Sequence, residues 1–429
     1  MTDLRTAVPV DTRRNTPPHA PRPWPLPVTT SPKVTGLVNQ LAASNDLERE
    51  SLLVQFMAEI EREGTPLIEA ATDPAFRIVT FIYRGPAADR VYLQANKLTD
   101  AFTPAEGKLT PISGTDIATL SIRMPVDWIC SYFFLTPTEP FDGDGGRLSV
   151  REVLQQRDAV QADPLNPNAM PHKLLPRSGQ SVVALAEAPE TPPAQSSNRW
   201  RESSTGIRLP MSGAEVQAVV HSHPNADAHS PAVFLCDGEV WLHQRILAEA
   251  LEYRIASGAC PPLHLVYIPS GGLQARQRDY TAEADAQAEL LELAGAVLRV
   301  AQPGWDARWI VAGQSLGGLF ALFAATRFPQ QVAGAVAQSP SLWWPSEGPL
   351  DPGPGQWFRE LGAAGDCAPC VVQGGRTEWI LIEPVLHARE FLRGLDRLVE
   401  TPSDIVTGGH DEAWWRRTLP EAIEAIAHS

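Results

Sequence analysis

The first third of the chain carries short apolar runs rich in β-branched and aromatic residues, separated by turn residues. These runs cover residues 77–83, 90–94, 117–124 and 129–135. Several short strands of this kind predict a small antiparallel β domain. Before them, apolar residues recur at helical spacing over residues 42–60, where Asn45 is placed to cap the helix.

Beyond residue 198 the pattern changes to apolar strands that alternate with helical periods. Alternation of this kind is typical of a largely parallel sheet with helices on both faces, and it predicts an α/β domain. The clearest helical periods cover residues 240–255 and 282–300. The predicted strands cover residues 233–236, 263–268, 309–312, 332–337, 370–373 and 404–406.

Two stretches without periodicity set the predicted domain boundaries. Residues 1–32 are polar and proline-rich, which predicts a disordered leader. Residues 189–198, with the sequence P-E-T-P-P-A-Q-S-S-N, predict a linker. We therefore expect a smaller β-rich N-terminal domain over residues 33–188 and an α/β domain over residues 199–429.

Composition and charge narrow the classes of function. The net charge is −15 and the pI is about 5.1, so the chain lacks the basic field that nucleic acids require. The longest apolar runs fall short of the roughly 18 residues that span a bilayer, and the first 35 residues show no signal-peptide pattern. Five cysteines, an odd number in a long chain, fit a reducing compartment. We expect a soluble, cytoplasmic protein that binds neither nucleic acid nor membrane.

The motif G-Q-S-L-G over residues 313–317 lies directly between a predicted apolar strand and an apolar helix. A sharp turn there lifts a serine hydroxyl off the sheet toward a base, while the flanking glycines relieve crowding. The helix also directs its N-terminus at the site, where the backbone N–H of Leu316 is placed to stabilise an oxyanion. These features predict that Ser315 is a catalytic nucleophile.

A nucleophilic serine needs a general base, and in this fold class the chain order is serine, acid, histidine. His410 lies on a loop after a predicted strand, so we expect it to be the base. His387 falls within a helical period and is expected on a solvated helix face. For the acid we expect Glu378, which follows the strand at 370–373. The alternatives nearby are Glu383, Asp404 and Asp411.

Four further residues are candidates for oxyanion or substrate contacts. Gly238 follows the strand at 233–236, where its amide is either a second oxyanion donor or part of an ordinary turn. Arg276 follows the next strand and is a candidate for receiving an anionic substrate. Trp343 and Trp344 either line an aromatic substrate pocket or pack in the core.

The sequence offers no complete metal site. His221 and His223 form H-x-H, which on a strand would place both rings on one face, but their loop-like neighbours favour a structural role. Cys367 and Cys370 form a single C-x-x-C without the further ligands that zinc requires. We expect no metal ion and no other cofactor.

Motifs in both halves of the chain resemble those of the enterochelin (enterobactin) esterases. In the C-terminal half these are L-C-D-G-E-V-W, V-A-G-Q-S-L-G-G-L, Q-S-P-S-L-W-W-P and G-G-H-D, in matching order. In the N-terminal half they are D-P-A-F-R-I-V-T-F, G-T-D, Y-F-F and D-P-L-N. The segments G-R-T-E at Glu378 and R-Q-R-D-Y at Arg276 resemble the family only in part.

The resemblance implies a fold, an activity and a substrate class. It implies an esterase-D-like α/β-hydrolase domain after a β-rich domain that helps to enclose the ligand. The implied activity is hydrolysis of the trilactone esters of a catecholate siderophore to dihydroxybenzoyl-serine units, which supports intracellular iron release. The iron would be carried by the substrate. The alternatives are an esterase or acyltransferase for another ester, and a siderophore-binding protein without catalysis.

Overall fold

The computed structural model describes residues 17–18, 20–141, 148–171, 179–242, 246–346 and 355–429. The chain folds into two compact units. The N-terminal unit comprises Pro21–Glu190 together with Val406–Trp414. The C-terminal unit comprises Thr191–Ile405 and Trp415–Ser429, with the few described residues before Pro21. The segment that contains His410 therefore belongs to the N-terminal unit, which differs from the predicted single domain over residues 199–429.

Two helices, α1 (Pro32–Ala43) and α2 (Asp46–Glu63), open the N-terminal unit. Asn45 caps α2 as the sequence predicts, because its side chain accepts a hydrogen bond from the backbone N–H of Glu48. The Glu48 carboxylate accepts one from the backbone N–H of Asn45 in return. The single helix predicted over residues 42–60 thus begins a few residues later, at this cap.

The prediction of a disordered leader over residues 1–32 is wrong for its last part. Residues 1–16 and 19 lie outside the described residues, whereas the stretch before α1 is held by contacts within the N-terminal unit. Arg22 is buried and donates its backbone N–H to Asp100 (2.7 Å), and Leu26 joins the apolar core. The partners of this stretch come from more distant parts of the chain, so local periodicity gave no sign of them.

Short antiparallel strands form most of the N-terminal unit. They are β1 (Leu67–Ala70), β2 (Phe76–Arg84), β3 (Tyr92–Ala95), β4 (Thr110–Pro111), β5 (Ile117–Pro125), β6 (Ile129–Leu135), β7 (Val160–Gln161), β8 (Ala169–Met170) and β9 (Gln180–Ala184), with the short helix α3 (Val150–Val153) and two 3₁₀ turns at Pro104–Gly107 and Arg157–Ala159. One sheet has the order β1-β2-β5-β4, and the other has the order β3-β6-β9-β8 with β7 beside β6. The predicted antiparallel β domain is therefore present.

One eight-stranded sheet organises the C-terminal unit. Its strands are β10 (Arg201–Arg208), β11 (Glu215–Ser222), β12 (Ala232–Leu235), β13 (His264–Tyr267), β14 (Trp309–Gln314), β15 (Val332–Gln338), β16 (Cys370–Gly375) and β17 (Ile405–Val406). The order is β10-β11-β13-β12-β14-β15-β16-β17. Strands β13, β12, β14, β15 and β16 pair in parallel, which confirms the predicted fold class. Strands β10 and β11 pair antiparallel at one edge and were not predicted.

Helices connect these strands and contribute many of the buried apolar residues of the core. They are α4 (Gly238–Leu242), α5 (Ile246–Ala256), α6 (Leu273–Tyr280), α7 (Ala284–Ala301), α8 (Leu316–Arg327), α9 (Gln356–Ala364), α10 (Ile382–Gly394) and α11 (Glu412–Ala427). Helix α8 is buried along almost its whole length against β14 and β15. None of the helices in the described part of the chain combines the length and the apolar character needed to cross a membrane.

Candidate active site

The turn between β14 and α8 presents Ser315 in a conformation that few residues other than glycine adopt. Its φ is 57° and its ψ is −120°. The flanking glycines allow the turn, because a Cβ on Gly313 would lie 2.4 Å from the carbonyl carbon of Gly317. A Cβ on Gly317 would lie 2.8 Å from that of Cys236. The G-x-S-x-G spacing is therefore required by close packing around a strained serine, as in a nucleophile elbow.

Hydrogen bonds from the neighbouring strand fix this turn. Ser315 donates its backbone N–H to the carbonyl of Gln338 at the end of β15 (3.0 Å). Its own carbonyl accepts the backbone N–H of Ser341 (3.0 Å), and the two serine Oγ atoms lie 3.3 Å apart. Ser341 was not among the predicted site residues. Its position in the loop directly after the strand predicted over residues 332–337 was the feature that could have indicated a site residue.

The two expected oxyanion donors differ in their surroundings. Leu316 is the first residue of α8, so its N–H is one of the four that have no partner inside the helix. Gly238, in contrast, donates its N–H to the carbonyl of Ile268 (2.9 Å). The Gly238 amide packs α4 against the chain after β13, which favours the ordinary-turn alternative, and its role as an oxyanion donor stays a prediction.

Arg276 forms an ion pair beside the elbow. Its Nε and Nη2 donate to the two carboxylate oxygens of Asp237 (2.7 and 2.8 Å), and Nη2 also donates to the carbonyl of Gln314 (3.0 Å). Burial alone would lower the pKa of Arg276, but the charge and hydrogen bonds of Asp237 outweigh it and raise that pKa. This guanidinium joins the ends of β12 and β14, which favours a structural role, and the expected substrate contact stays a prediction.

Asp237 itself occupies a strained position. Its φ is 53°, in the left-handed region, where aspartate is one of the few tolerated residues. Its backbone N–H donates to the hydroxyl of Tyr280 on α6 (2.8 Å). Arg276 and Tyr280 lie on the same helix, so α6 holds both the main chain and the side chain of Asp237.

Glu378 lies in the loop after the carboxyl end of β16, where the residue is only 1% exposed. Its backbone N–H donates to the carbonyl of Gly375 (3.1 Å), and its carboxylate accepts the N–H of Gly375 (3.3 Å). A buried carboxylate on a loop at this edge of the sheet has the surroundings that a triad acid needs. Its assignment as the acid stays a prediction.

The three alternative acids differ from Glu378 in their contacts and exposure. The Asp404 carboxylate pairs with Arg389 (2.5 Å) and accepts the hydroxyl of Thr401 (2.7 Å). Glu383 lies in the first turn of α10 and is exposed. Asp411 is buried, and both its oxygens accept backbone N–H groups of the N-terminal unit. These contacts favour Glu378 over the other three.

Hydrogen bonds within the N-terminal unit hold the backbone at His410 and at the residue that follows it. The carbonyl of His410 accepts a hydrogen bond from Nδ2 of Asn96 (2.8 Å). The next residue, Asp411, accepts the backbone N–H groups of Ser131 (2.6 Å) and Ala413 (2.9 Å). These bonds define the loop that carries the imidazole, and the role of His410 as the base stays a prediction.

The remaining candidates have structural surroundings. Trp343 and Trp344 are 3% and 9% exposed and belong to the apolar core of the C-terminal unit, which favours the packing alternative over an aromatic substrate pocket. His387 lies on α10 and is exposed, as expected. His221 pairs with Glu202 (3.1 Å). Among the described residues, no cluster of three or more histidine, cysteine, aspartate and glutamate side chains could hold a metal ion.

Comparison with known proteins places this chain in a family. The family model "Enterochelin esterase, N-terminal" matches residues 78–194, and the model "Putative esterase" matches residues 212–426. The iron(III) salmochelin esterase of Escherichia coli O6:H1 is 30% identical over 91% of this chain and 96% of its own length. The chain belongs to the enterochelin esterase family. It is therefore a carboxylic ester hydrolase by family, and the resemblance drawn from its motifs is confirmed.

Other members of the enterochelin esterase family are similar to this chain in sequence and in fold. The iron(III) enterobactin esterase of Dickeya dadantii is 28% identical over 90% of this chain and 94% of that protein. A crystal structure of ferric enterobactin esterase from Salmonella typhimurium superposes with a TM-score of 0.73 at 23% identity, over 87% of this chain and 98% of that one. At that identity the superposition establishes the shared fold.

Proposed function

We propose that this enterochelin esterase family member hydrolyses the trilactone of a catecholate siderophore related to enterobactin. The relatives named above are esterases of iron(III) salmochelin and iron(III) enterobactin, and they match the chain over nearly its whole length. The observation that carries the proposal is the strained Ser315 at the β14–α8 turn, since this geometry serves nucleophilic attack on an ester.

The first half of the reaction acylates Ser315. His410 takes the proton of the hydroxyl as Oγ attacks a seryl ester carbonyl, and Glu378 stabilises the imidazolium that forms. The negative oxygen of the tetrahedral intermediate accepts the N–H of Leu316, a type of contact that contributes about 3 kcal/mol. The intermediate then collapses, and the departing seryl oxygen takes the proton from His410.

The second half frees the enzyme. Water attacks the acyl carbon while His410 takes one of its protons, and the same proton passes to Oγ of Ser315 as the bond from Oγ to the acyl carbon breaks. The carboxylic acid that is released then loses its remaining proton to solvent. Repetition at each ester yields dihydroxybenzoyl-serine units. The iron is carried in by the substrate. It is released after hydrolysis, because three separate catecholate ligands hold it less tightly than the intact trilactone does.

The proposed location is the cytoplasm. All five cysteines are free and buried, and no disulfide stabilises either unit. Free thiols are typical of proteins in a reducing compartment. Intracellular hydrolysis would deliver iron where the cell uses it.

Mass-resolved product analysis with iron-free and ferric enterobactin tests this function. The wild type should release linear and monomeric dihydroxybenzoyl-serine, whereas Ser315→Ala and His410→Gln should leave the trilactone intact. Ser257→Ala and His387→Gln, which change exposed residues of the same types, should retain wild-type activity. Intact trilactone from the wild type would contradict the proposed substrate, and normal hydrolysis by Ser315→Ala would contradict the nucleophile.

A further inference from the structure

Three glutamines lie side by side across the strands that carry the candidate site. Gln314 ends β14, Gln338 ends β15, and Gln373 lies near the end of β16. The parallel register pairs Gln314 with Gln338 and Gln338 with Gln373. Their exposed fractions are 5%, 0% and 0%. In-register strands place equivalent side chains about 5 Å apart, so the carboxamides form a buried row, here called the glutamine ladder.

Hydrogen bonds connect the glutamine ladder in one direction. Nε2 of Gln314 donates to Oε1 of Gln338 (2.9 Å), and Nε2 of Gln338 donates to Oε1 of Gln373 (2.8 Å). Nε2 of Gln373 donates to the hydroxyl of Thr401 (3.1 Å), which donates to the carboxylate of Asp404 (2.7 Å). The amide dipoles therefore all point toward one charged group, and each bond polarises the next.

Gln338 is the centre of this row. Its Nε2, which carries two N–H groups, also lies within hydrogen-bond distance of the Thr418 hydroxyl (2.8 Å) and the Trp415 carbonyl (3.0 Å) on α11. Its backbone carbonyl accepts the N–H of Ser315 (3.0 Å). One residue thus links the nucleophile turn, the neighbouring strands and the last helix.

The glutamine ladder lies on the strands that lead to the nucleophile and to the candidate acid. Gln314 directly precedes Ser315, and Gln373 lies in the strand that ends before Glu378. The carbonyl of Gln373 accepts the N–H of Ser339 (2.8 Å), so main-chain bonds run beside the side-chain bonds. A shift of Gln338 would disturb the bond that its carbonyl accepts from the Ser315 N–H, and with it the Ser315 turn.

A contribution to stability alone does not explain why the glutamine ladder lies in the buried interior of the sheet. Burying amide groups costs free energy unless every donor and acceptor is satisfied, and an apolar sheet interior would avoid that cost. A fully satisfied polar network does restrict its members to one arrangement. Catalysis benefits from such restriction, because a displacement of about 1 Å in a reacting group costs about 100-fold in rate.

We propose that Gln338 is a positioning residue for ester hydrolysis, acting through the glutamine ladder to hold Ser315 in its reactive orientation. This inference rests on the proposed function of Ser315 as the nucleophile. Gln338 is fully buried, so it acts without touching the substrate. Its loss should therefore lower kcat while KM stays nearly unchanged.

Gln338→Met tests the proposal, because methionine has a similar length but no hydrogen-bonding amide. We expect kcat to fall about 10- to 100-fold, with KM within threefold of wild type. The matched control is Val336→Ala, which removes buried atoms from the same strand outside the glutamine ladder. It should lower the melting temperature and leave kcat within twofold of wild type.

Gln338→Glu supplies a readout that a purely structural role would not give. Burial raises the pKa of a carboxyl group placed there, and only its protonated form can both accept from Gln314 and donate to Gln373. Relative to wild type, kcat of this variant should rise as the pH is lowered. Thr418→Val removes one partner of Gln338 and should lower kcat more mildly, which provides a second test if Gln338→Met does not fold.

Labelling of Ser315 by a fluorophosphonate probe separates this inference from the proposed substrate. The labelling rate should fall in Gln338→Met and stay normal in Val336→Ala, whether or not enterobactin is hydrolysed. Equal rates in wild type and Gln338→Met, or a pH profile of Gln338→Glu parallel to wild type, would overturn the inference. Absence of labelling in the wild type would overturn both the nucleophile and the role of Gln338.

Discussion

Substitution of Arg276 distinguishes a structural ion pair from a substrate contact. Arg276→Met removes the guanidinium that bonds both carboxylate oxygens of Asp237 and the carbonyl before Ser315. Methionine keeps much of the apolar stem, so the main loss is the charge and its hydrogen bonds. The uncompensated Asp237 carboxylate would remain in a strained and largely buried position.

The size of the effect follows from burial. The side chains of Arg276 and Asp237 are 18% and 13% exposed. Removing one partner of a buried pair costs about 3–5 kcal/mol, and the remaining exposure places this pair near the lower limit, about 3 kcal/mol. A unit of this size loses about 2–4 °C in melting temperature per kcal/mol, which gives a decrease of about 6–12 °C.

Thermal unfolding and steady-state esterase kinetics measure both effects. Arg299→Met is the matched control, since Arg299 forms an exposed pair with Glu292 (3.0 Å) and its loss should cost less than about 1 kcal/mol. Adding Asp237→Asn to Arg276→Met removes the orphaned charge and keeps a residue that tolerates positive φ, so the melting temperature should partly recover. A melting temperature unchanged in Arg276→Met, with KM alone increased, would refute the ion-pair interpretation and support the substrate contact.

Two further predictions concern the acid and the effect of pH. Glu378→Gln should lower kcat by about 10⁴-fold, as loss of a triad acid does. Asp411→Asn should reduce stability and change kcat by less than about tenfold. If esterase kinetics instead show the larger loss of kcat in Asp411→Asn, Asp411 is the acid. Burial lowers the pKa of His264 below its ordinary value of 6.5, against the opposing hydrogen bond to the Asp227 carbonyl, so the unfolded chain binds the proton more readily. The free energy of unfolding should therefore fall as the pH drops below 6.5, by at most about 1.4 kcal/mol per pH unit from this group. Denaturant unfolding at several pH values should show a shallower dependence for His264→Gln but not for the exposed control His428→Gln, and equal slopes would contradict this cause.

The features that the sequence predicts well are local. The elbow needs only a strand, a five-residue motif and a helix, all within residues 309–327, and each is recognisable from its apolar pattern. The cap at Asn45 is equally local. The fold class followed from the alternation of such segments, which is why the parallel sheet was predicted before its register was known.

The features that were missed depend on distant partners. The amide of Gly238 is occupied by Ile268, thirty residues further along the chain, and no local pattern shows that bond. The ordered stretch around Arg22 likewise depends on residues near position 100. A glutamine at or near the end of three successive strands was visible in the sequence, but its meaning required the register that pairs Gln314, Gln338 and Gln373.

Direct observation of the acyl-enzyme tests the central claim that Ser315 attacks a siderophore ester. The wild type is mixed with iron-free enterobactin, quenched in acid during the first turnover and digested for mass spectrometry. Opening a lactone releases no fragment, so we predict an adduct with the mass of the whole trilactone on the peptide that contains Ser315, absent from Ser315→Ala. An adduct on another residue, or hydrolysis that proceeds equally in Ser315→Ala, would contradict the account.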